Sequence, residues 1–361
     1  THCISSAASD VYKRQATVSV AFLGPLGTYS HQAVHALFDG CNAALRPQPS
    51  IRAAIDDAAA GAPHGLVVFP VENSAQGRVR EAVATLASGP FAPQHGLCIV
   101  DELRLPVAHA LIVPAHASGL PPDEVLNRIA VVRSHPQALA QCSRFLDERL
   151  PRARRDPVRS TAAAVAMLKD APQEPLVAAV ASELAATLVS AHVLQPQIQN
   201  ADDNTTRFLV AVAEPADPAV APILKQSRER RHPPSTVFRT FFRVSMQTPA
   251  NDIISVCEEL ASAAHSAAAT ATTPLHVVNE RDAMDPLSAP DDASVSHFIL
   301  ELGGVHPDIL LSQYGRALSE VPALAEFARN LEADLEHRSV KCVCLGAYPV
   351  APEIPSRHAS L

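Results

Sequence analysis

Residues 18–38 read VSVAFLGPLGTYSHQAVHALF, in which a strand pattern, a glycine-containing loop and a helix pattern follow one another directly. Residues 18–23 form a short apolar run of strand length, and the GPLG sequence behind it is a turn-forming signal. The apolar residues beyond the loop recur at the helical period and predict one buried helix face: Ala33, Val34, Leu37 and Phe38. A strand that passes directly into a helix is the repeating unit of α/β folds.

The same alternation continues along the chain. Buried-strand patterns cover residues 66–71, 129–132 and 176–180, and a helical pattern follows each of them. Residues 208–212 alternate between apolar and smaller side chains, as expected of a later strand. We therefore predict an α/β fold with a mainly parallel sheet.

The regular alternation of strand and helix patterns ends before the C-terminal part of the chain. Residues 215–235 are rich in proline and contain the basic run RERR at 228–231, which we interpret as the solvated face of an interdomain linker. Strand and helix patterns over residues 236–350 then predict a small α+β domain of the ferredoxin-like type. Residues 1–16 lack an apolar segment, so we interpret them as an artefact or a disordered tail rather than a signal peptide, and residues 351–361 as a C-terminal tail.

The composition narrows the possible classes of function. The 361 residues include 29 Lys and Arg and 37 Asp and Glu, which gives a net charge of −8. A nucleic-acid-binding protein usually carries an excess of basic residues, so this charge argues against that class of function. A hydrophobic share of 47% excludes a largely disordered chain. The longest uncharged stretch, residues 260–279, is too rich in Ala, Ser and Thr for a membrane-spanning helix. Seven scattered cysteines without a CxxC pair favour a reducing compartment, so we expect a cytoplasmic protein.

Four loops carry hydroxyl, amide or imidazole side chains at the end of a predicted strand or the start of a predicted helix. Their residues are Thr28 and Ser30, Asn73 and Ser74, Ser134 and His135, and Ser160 and Thr161. Backbone N–H groups at helix starts bind anions, and in an open α/β sheet such loops gather beyond the carboxyl ends of the strands. We therefore predict a cleft that suits a small organic di-anion.

A fifth motif, NTTRF at residues 204–208, leads into the last strand of this region. It brings a hydroxyl, a guanidinium and an aromatic ring together. Arg207 could bind a carboxylate through two hydrogen bonds, or it could form an ordinary surface ion pair. The sequence has no P-loop lysine, GxGxxG loop or GxSxG elbow, and the pair His31 and His35 lacks the HExxH pattern of a zinc site, so we expect no metal.

Together these motifs resemble those of the prephenate dehydratase family, in the family's order over residues 17–214. GPLGTYS at 24–30 resembles its GPxGTFS-type motif, VENSAQGRV at 71–79 its VENSxxGxV loop, and SHPQALAQC at 134–142 its HPQALxQC helix start. NTTRF matches its NxTRF signature. The resemblance implies a two-lobed catalytic domain of the periplasmic-binding-protein type, with lobes of about 17–106 plus 192–214, and 107–191.

The C-terminal part is similar to the family's ACT regulatory domain. LGAYP at 345–349 resembles the LGSYP-type end of that domain, whereas the usual ESRP-type loop corresponds at best to NERD at 279–282. The resemblance therefore implies a divergent ACT domain over residues 236–350. In the family this domain mediates self-association, here expected as a homodimer, and binds L-phenylalanine as effector; whether that feedback survives in this chain stays open.

The family catalyses the decarboxylating dehydration of prephenate to phenylpyruvate, a step of L-phenylalanine biosynthesis, as a hydro-lyase without metal, nucleotide or redox cofactor. By resemblance, Thr206 hydrogen-bonds the leaving hydroxyl, Arg207 anchors a carboxylate and Phe208 packs near the ring. Neutral donors to the other oxygens would come from Thr28, Ser30, Asn73, Ser74, Ser160 and Thr161. Glu72 and His135 are further candidates as proton partners, with capping of their elements as the alternative.

Two other functions remain open from the sequence. An arogenate dehydratase would perform the same elimination on the amino-acid analogue of prephenate. A non-catalytic sensor of small anions could use the same two-lobed fold, but pure binding would not need a hydroxyl such as that of Thr206 at the leaving group.

Overall fold

The computed structural model describes residues 18–60, 65–88, 90–91, 96–213, 217–231, 237–246, 273–279, 296–305 and 340–350. The two predicted tails and the helices expected between the C-terminal strands lie outside these residues. None of the helices in the described part of the chain is long and apolar enough to span a membrane.

The first lobe is a sheet with helices on both faces. Its elements are β1 (Val18–Leu23), α1 (Tyr29–Phe38), β2 (Ala43–Gln48), α2 (Ile51–Ala59), β3 (Gly65–Asn73), β4 (Gly77–Arg78), α3 (Arg80–Ser88), β5 (Cys98–Pro106) and β11 (Thr205–Val212). The strand order is β5-β11-β3-β1-β2, with β4 beside β3. β1 is parallel to β2 and β3, whereas β11 is antiparallel to both of its neighbours. The predicted strand and helix of residues 18–38 are thus confirmed, and the four predicted apolar residues of α1 are buried.

The second lobe is a smaller five-stranded sheet. Its elements are β6 (Ala110–Val113), a 3₁₀ turn (Ala115–Ala117), α4 (Pro122–Arg128), β7 (Ile129–Ser134), α5 (Pro136–Gln141), α6 (Ser143–Arg149), β8 (Arg154–Pro157), α7 (Thr161–Ala166), β9 (Leu176–Ala181), α8 (Glu183–Leu188) and β10 (His192–Gln195). The order is β10-β6-β9-β7-β8, in which β7 is parallel to both β8 and β9, whereas β6 is antiparallel to β9 and β10. The prediction of a mainly parallel sheet is therefore wrong: both sheets are mixed, because β6, β10 and β11 run antiparallel to their neighbours.

The predicted boundary between the lobes at residue 192 is too early. β10 pairs with β6 in the second sheet, and Ile198 is buried in the core of the same lobe. The chain therefore returns to the first lobe after about residue 198, because the pairing partner of a short strand, and not its own sequence, decides to which sheet it belongs.

The predicted linker contains a helix, α9 (Ala221–Arg231), which packs on the first lobe. Val220 and Leu224 are buried in the core on the α1 side of the sheet. Arg231 hydrogen-bonds the buried carboxylate of Asp101, and Arg228 lies 3.4 Å from the same carboxylate. The prediction that the basic run is a solvated linker face is therefore wrong: two of its arginines pair with an acidic side chain of β5.

The four C-terminal strands continue the first sheet. They are β12 (Val237–Met246), β13 (Thr273–Asn279), β14 (Ser296–Val305) and β15 (Val340–Val350), and all three pairings in the order β13-β14-β12-β15 are antiparallel. A bridge between Gly346 and Ile99 joins β15 to β5. Phe241 and Leu345 are buried in the core on the α2 and α3 side of the first lobe.

Candidate active site

The topology brings the predicted site residues of the first lobe to one edge of its sheet. β1 and β3 end at this edge and the antiparallel β11 begins there, so Thr28, Asn73 and Thr206 lie on loops and strand ends that share it. In the second lobe the loops behind the parallel strands β7, β8 and β9 provide the helix caps His135, Ser160 and Ser182. The carboxyl edge of such sheets is where open α/β folds place their ligands.

Thr206 is held by the side-chain amide of Asn73. The Asn73 Nδ2 donates to Thr206 Oγ1 at 3.0 Å, and it also lies 2.9 Å from Asn204 Oδ1 and 3.2 Å from the carbonyl of Thr205. A hydroxyl has one proton to donate and two lone pairs to accept. Because Asn73 donates to it, Thr206 can direct its own proton towards a ligand.

Asn73 is itself fixed by the backbone that follows it. Its Oδ1 accepts from the N–H groups of Ala75 and Gln76, both at 3.1 Å, which is the pattern of an Asx turn. Ser74 ties the same turn to the start of β11, since its hydroxyl accepts from the Thr205 N–H at 2.9 Å. The predicted residues Asn73 and Ser74 therefore lie next to Thr206.

The glycine-containing loop caps α1. Thr28 Oγ1 accepts from the His31 N–H at 3.3 Å and donates to the Leu23 carbonyl at 3.0 Å, so this hydroxyl is engaged in holding the loop. Ser30 is buried in the first turn of the helix. Gly27 has a φ of +88°, a conformation that favours glycine.

Gly27 also joins the two lobes. A methyl group on it would lie 3.3 Å from the Cβ of Ala185 in α8 and 3.4 Å from the Cβ of Ala162 in α7. The Ser182 hydroxyl, the cap of α8, is 3.5 Å from the Gly27 carbonyl. The first turns of α1, α7 and α8 thus meet at one point, with the hydroxyls of Ser160 and Ser182 each capping its own helix.

His135 caps α5, because its Nδ1 accepts from the Gln137 N–H at 3.3 Å. This bond requires the proton of a neutral imidazole to be on Nε2, which is thereby able to donate. Thr161 is the first residue of α7 and partly buried. The capping role considered for His135 is present in the structure, and it leaves the proton-partner role as a proposal.

Arg207 lies on the opposite face of the sheet from Thr206. Its Nε donates to Glu102 Oε2 at 2.6 Å, the guanidinium lies over the ring of Phe241 at 5.5 Å, and the side chain is 5% exposed. Alternation along β11 explains this placement, because consecutive residues of a strand face opposite ways. The prediction that Arg207 anchors a substrate carboxylate is contradicted by its burial against Glu102.

The remaining predicted residues divide between the two faces. Glu72 lies with Arg207, 3.9 Å from its guanidinium, so it is turned away from Thr206 and unsuited to act as its proton partner. Phe208 is on the Thr206 side but is 1% exposed and part of the core with Phe22 and Val210. It supports the strand beneath Thr206 and does not line an open surface.

The described residues contain no group of three His, Cys, Asp or Glu side chains close enough to hold a metal ion. His31 Nδ1 accepts from the Gly27 N–H at 3.1 Å, and its ring stacks on Phe22. His31 therefore supports the glycine loop.

Sequence reasoning missed a partly buried group of polar side chains between the lobes, with His109 at its centre. Tyr29 Oη lies 2.8 Å from His109 Nδ1, and His109 Nε2 lies 2.8 Å from Gln141 Oε1. Burial raises the pKa of Tyr29 and lowers the pKa of His109, so both groups are neutral at neutral pH. A histidine in the apolar run of residues 107–113 was the available signal.

The sequence model of the prephenate dehydratase family matches residues 20–216, which is more than half of the chain and contains every predicted site residue. The chain belongs to the prephenate dehydratase family. The matched range contains the Asn73–Thr206 pair and the loop of residues 24–30.

Curated relatives in the family are about one-third identical. A bifunctional chorismate mutase/prephenate dehydratase of Pseudomonas aeruginosa is 34% identical over 194 residues, 54% of this chain and 48% of that protein. The arogenate dehydratase/prephenate dehydratase 2 of Arabidopsis thaliana is 34% identical over 216 residues, 58% of this chain and 50% of that protein. The chain thus spans about half the length of these relatives.

The fold is shared with solved structures over nearly the whole chain. The prephenate dehydratase of Arthrobacter aurescens, solved with L-Phe, has a TM-score of 0.65 at 21% identity, covering 95% of this chain and 94% of that one. At this identity the likeness establishes the fold: an α/β, mixed-sheet architecture.

Proposed function

We propose that this chain is a prephenate dehydratase, which converts prephenate to phenylpyruvate with loss of CO2 and water. The observation that carries the proposal is the Thr206 hydroxyl, held by Asn73 at the edge of the sheet where the two lobes meet. Family membership over residues 20–216 supports the same reaction.

The reaction needs an assisted leaving group rather than a redox partner. The bond from the ring to its carboxylate breaks, and its electron pair becomes part of the new aromatic system as the ring C–O bond breaks. The departing oxygen keeps its electron pair and takes up a proton to leave as water. Electrons are therefore balanced within the substrate, and aromatisation supplies the driving force.

Thr206 would donate its proton in a hydrogen bond to the departing hydroxyl. Its own pKa is too high for a free acid, so the bond stabilises charge as the C–O bond breaks or relays a proton to the oxygen. The Asn73 amide favours this direction of the bond because it occupies a lone pair of Thr206. Fixing the donor before the reaction avoids the cost of orienting it in the transition state.

The substrate carboxylates would be bound by neutral groups at the edges of the two sheets. The proposed donors are Ser30, Ser160 and Thr161, with His135 Nε2 as an additional donor. Thr28, Asn73 and Ser74, which were also predicted as donors, use their side-chain protons within the protein and hold the surrounding loops in place. A carboxylate held too tightly resists its conversion to neutral CO2, so we place the stronger donors at the pyruvyl carboxylate and a drier region at the ring carboxylate.

We further propose that residues 236–350 form a divergent ACT domain, that the chain is a cytoplasmic homodimer through this domain, and that L-phenylalanine is its effector. The strand order β13-β14-β12-β15 supports the ferredoxin-like topology, since the first and third of the four strands are adjacent in the centre. The L-Phe complex of the Arthrobacter aurescens enzyme supports the effector.

The test is turnover of the purified chain on prephenate and on arogenate, followed through phenylpyruvate and phenylalanine. We expect prephenate to be converted and Thr206→Ala to lower kcat at least about a hundredfold. Thr205→Ala is the matched control, because that hydroxyl is one residue away and on the other face of β11. A preference for arogenate would show that the chain is an arogenate dehydratase. Binding of both compounds without formation of product would favour the non-catalytic sensor of small anions.

A further inference from the structure

Two chain segments connect the lobes and run side by side. Residues 107–109 lead from β5 to β6, and residues 198–204 lead back to β11. The Val107 N–H donates to the Asn204 carbonyl at 2.8 Å, and the Ile198 N–H donates to the His109 carbonyl at 2.8 Å. Any change in the angle between the lobes must bend this hinge.

A group of three polar side chains crosses the hinge, of which His109 is buried and the other two are partly buried. Tyr29 reaches it from α1 of the first lobe, with its hydroxyl 2.8 Å from His109 Nδ1 and 2.9 Å from the Ala108 carbonyl. Gln141 reaches it from α5 of the second lobe, with Oε1 2.8 Å from His109 Nε2. His109 is 2% exposed, and its backbone N–H donates to Gln199 Oε1 at 3.0 Å.

The hydrogen-bond directions are determined by the acceptors. Gln141 Oε1 can only accept, so the imidazole proton is on Nε2 and Nδ1 is left as an acceptor. Tyr29 then donates to Nδ1, because two lone pairs facing each other at 2.8 Å would repel. This bond joins α1 to the hinge, and Gln141 holds the ring that receives it.

The same hinge is connected to Thr206. Val107 binds the backbone of Asn204, whose side chain accepts from Asn73, and Asn73 donates to Thr206. Tyr29 itself lies between Thr28 and Ser30 in the loop of residues 24–30, whose Gly27 contacts α7 and α8. A tilt of α1 would therefore move both sides of the site.

We propose that Tyr29, His109 and Gln141 form an interlobe latch that fixes the angle between the lobes, and that Tyr29 and His109 are positioning residues for the reaction at Thr206. The claim that these residues affect turnover at Thr206 rests on the proposed function. The claim that they restrain the hinge does not depend on a substrate and can be measured without turnover.

The kinetic test compares three substitutions in the full chain. Tyr29→Phe and His109→Gln each remove the bond between Tyr29 and the ring, and we expect each to lower kcat/KM for prephenate about threefold to tenfold. The double variant should lose no more than either single one, because both remove the same bond. His109→Asn keeps a polar atom near the Nδ1 position and should retain most of the activity.

The mechanical test is amide hydrogen exchange in peptides that cover residues 107–109 and 198–204. We expect faster exchange there in Tyr29→Phe, but not in Thr85→Val, which removes a buried hydroxyl bond of 2.7 Å within α3 of the first lobe. Equal exchange in these two variants, or additive kinetic losses in the double variant, would overturn the latch. If the wild-type chain turned over neither compound, the proposed function would fail while the exchange result still decided the latch.

Discussion

Thr206 owes its proposed role to the direction of a hydrogen bond rather than to a shifted pKa. A threonine hydroxyl in water exchanges its hydrogen-bond partners freely, so it can meet a ligand either as a donor or as an acceptor. Asn73 removes this freedom because its amide nitrogen can only donate. The amide thus acts on the reaction through the orientation of one proton.

Asn73→Asp isolates this effect, because the carboxylate has almost the shape of the amide but accepts where the amide donates. We expect kcat for prephenate to fall about tenfold to a hundredfold with a smaller change in KM, as the Thr206 proton turns towards the carboxylate. Asn200→Asp is the control: the Asn200 amide lies in the returning hinge segment and donates to Ala140 and Ser143 of the second lobe, so this substitution disturbs the hinge but leaves the Asn73–Thr206 bond in place. A similar loss in both variants would assign the effect to a disturbance of the hinge and not to the direction of the Thr206 proton.

His109 makes folding stability depend on pH. Burial lowers its pKa in the folded protein below the ordinary value of 6.5, so the unfolded chain binds the proton more tightly. The stabilisation is complete above pH 6.5 and is lost as the pH falls towards the folded-state pKa. We expect the free energy of unfolding to decrease over this window by up to about 1.4 kcal/mol per pH unit from this residue.

His31, whose pKa is lowered mainly by burial, adds to the same slope. Denaturant unfolding between pH 5 and 7.5, about the range in which histidine titrates, measures the sum. His109→Asn should remove the contribution of His109 to the pH dependence of the free energy of unfolding and leave that of His31. An unchanged slope in this variant would show that His109 does not bind the proton differently in the two states.

At the scale of single elements, Gly27 has two roles: its positive φ shapes the loop before α1, and its backbone lies against α7 and α8 of the other lobe. Gly40 provides a comparison, since its φ is +75° but no atom lies within 4 Å of a methyl group placed there. Gly40→Ala should cost about 1 kcal/mol of stability from the backbone alone. Gly27→Ala should cost about 1–3 kcal/mol more, because its methyl group meets Ala162 and Ala185.

The two variants also differ in their expected kinetics. Gly27→Ala should lower kcat/KM because the lobes are pushed apart, and Gly40→Ala should leave it unchanged. Urea unfolding and steady-state kinetics on both variants provide the measurement. Equal stabilities would indicate that the neighbouring alanines move aside at no cost.

The elements themselves were predictable where local pattern and tertiary packing agree. β1, α1 and β9 follow from apolar runs and periodicity, and their predicted buried residues are buried. α9 was missed because its sequence is polar and flanked by prolines, and it is held by the burial of Val220 and Leu224 and by Asp101, all through contacts with parts of the chain that are distant in sequence. Likewise, Arg207 has the chemistry of a carboxylate anchor, but a strand sequence does not say which face of the sheet points to the ligand.

At the scale of the whole molecule, the C-terminal strands share a core with the first lobe. Phe241 of β12 is 3% exposed among residues of β3, β5 and α3, and its ring covers the guanidinium of Arg207, the neighbour of Thr206. A cation over an aromatic face in a desolvated contact contributes about 2 kcal/mol, in addition to the burial of the ring. The two parts of the chain are therefore expected to unfold together.

Phe241→Ala tests this coupling, and we expect it to lower the free energy of unfolding by about 3–5 kcal/mol. Because the ring covers the Arg207 guanidinium and shares a core with Leu209 of β11, the loss should reach the strand that carries Thr206 and accelerate amide exchange in β11. Phe145→Ala is the control, since that ring packs on the core of the second lobe. It should accelerate exchange in β7 and β9 while β11 remains protected. If β11 were equally protected in both variants, the C-terminal sheet would be an independently folded unit whose movements do not reach Thr206.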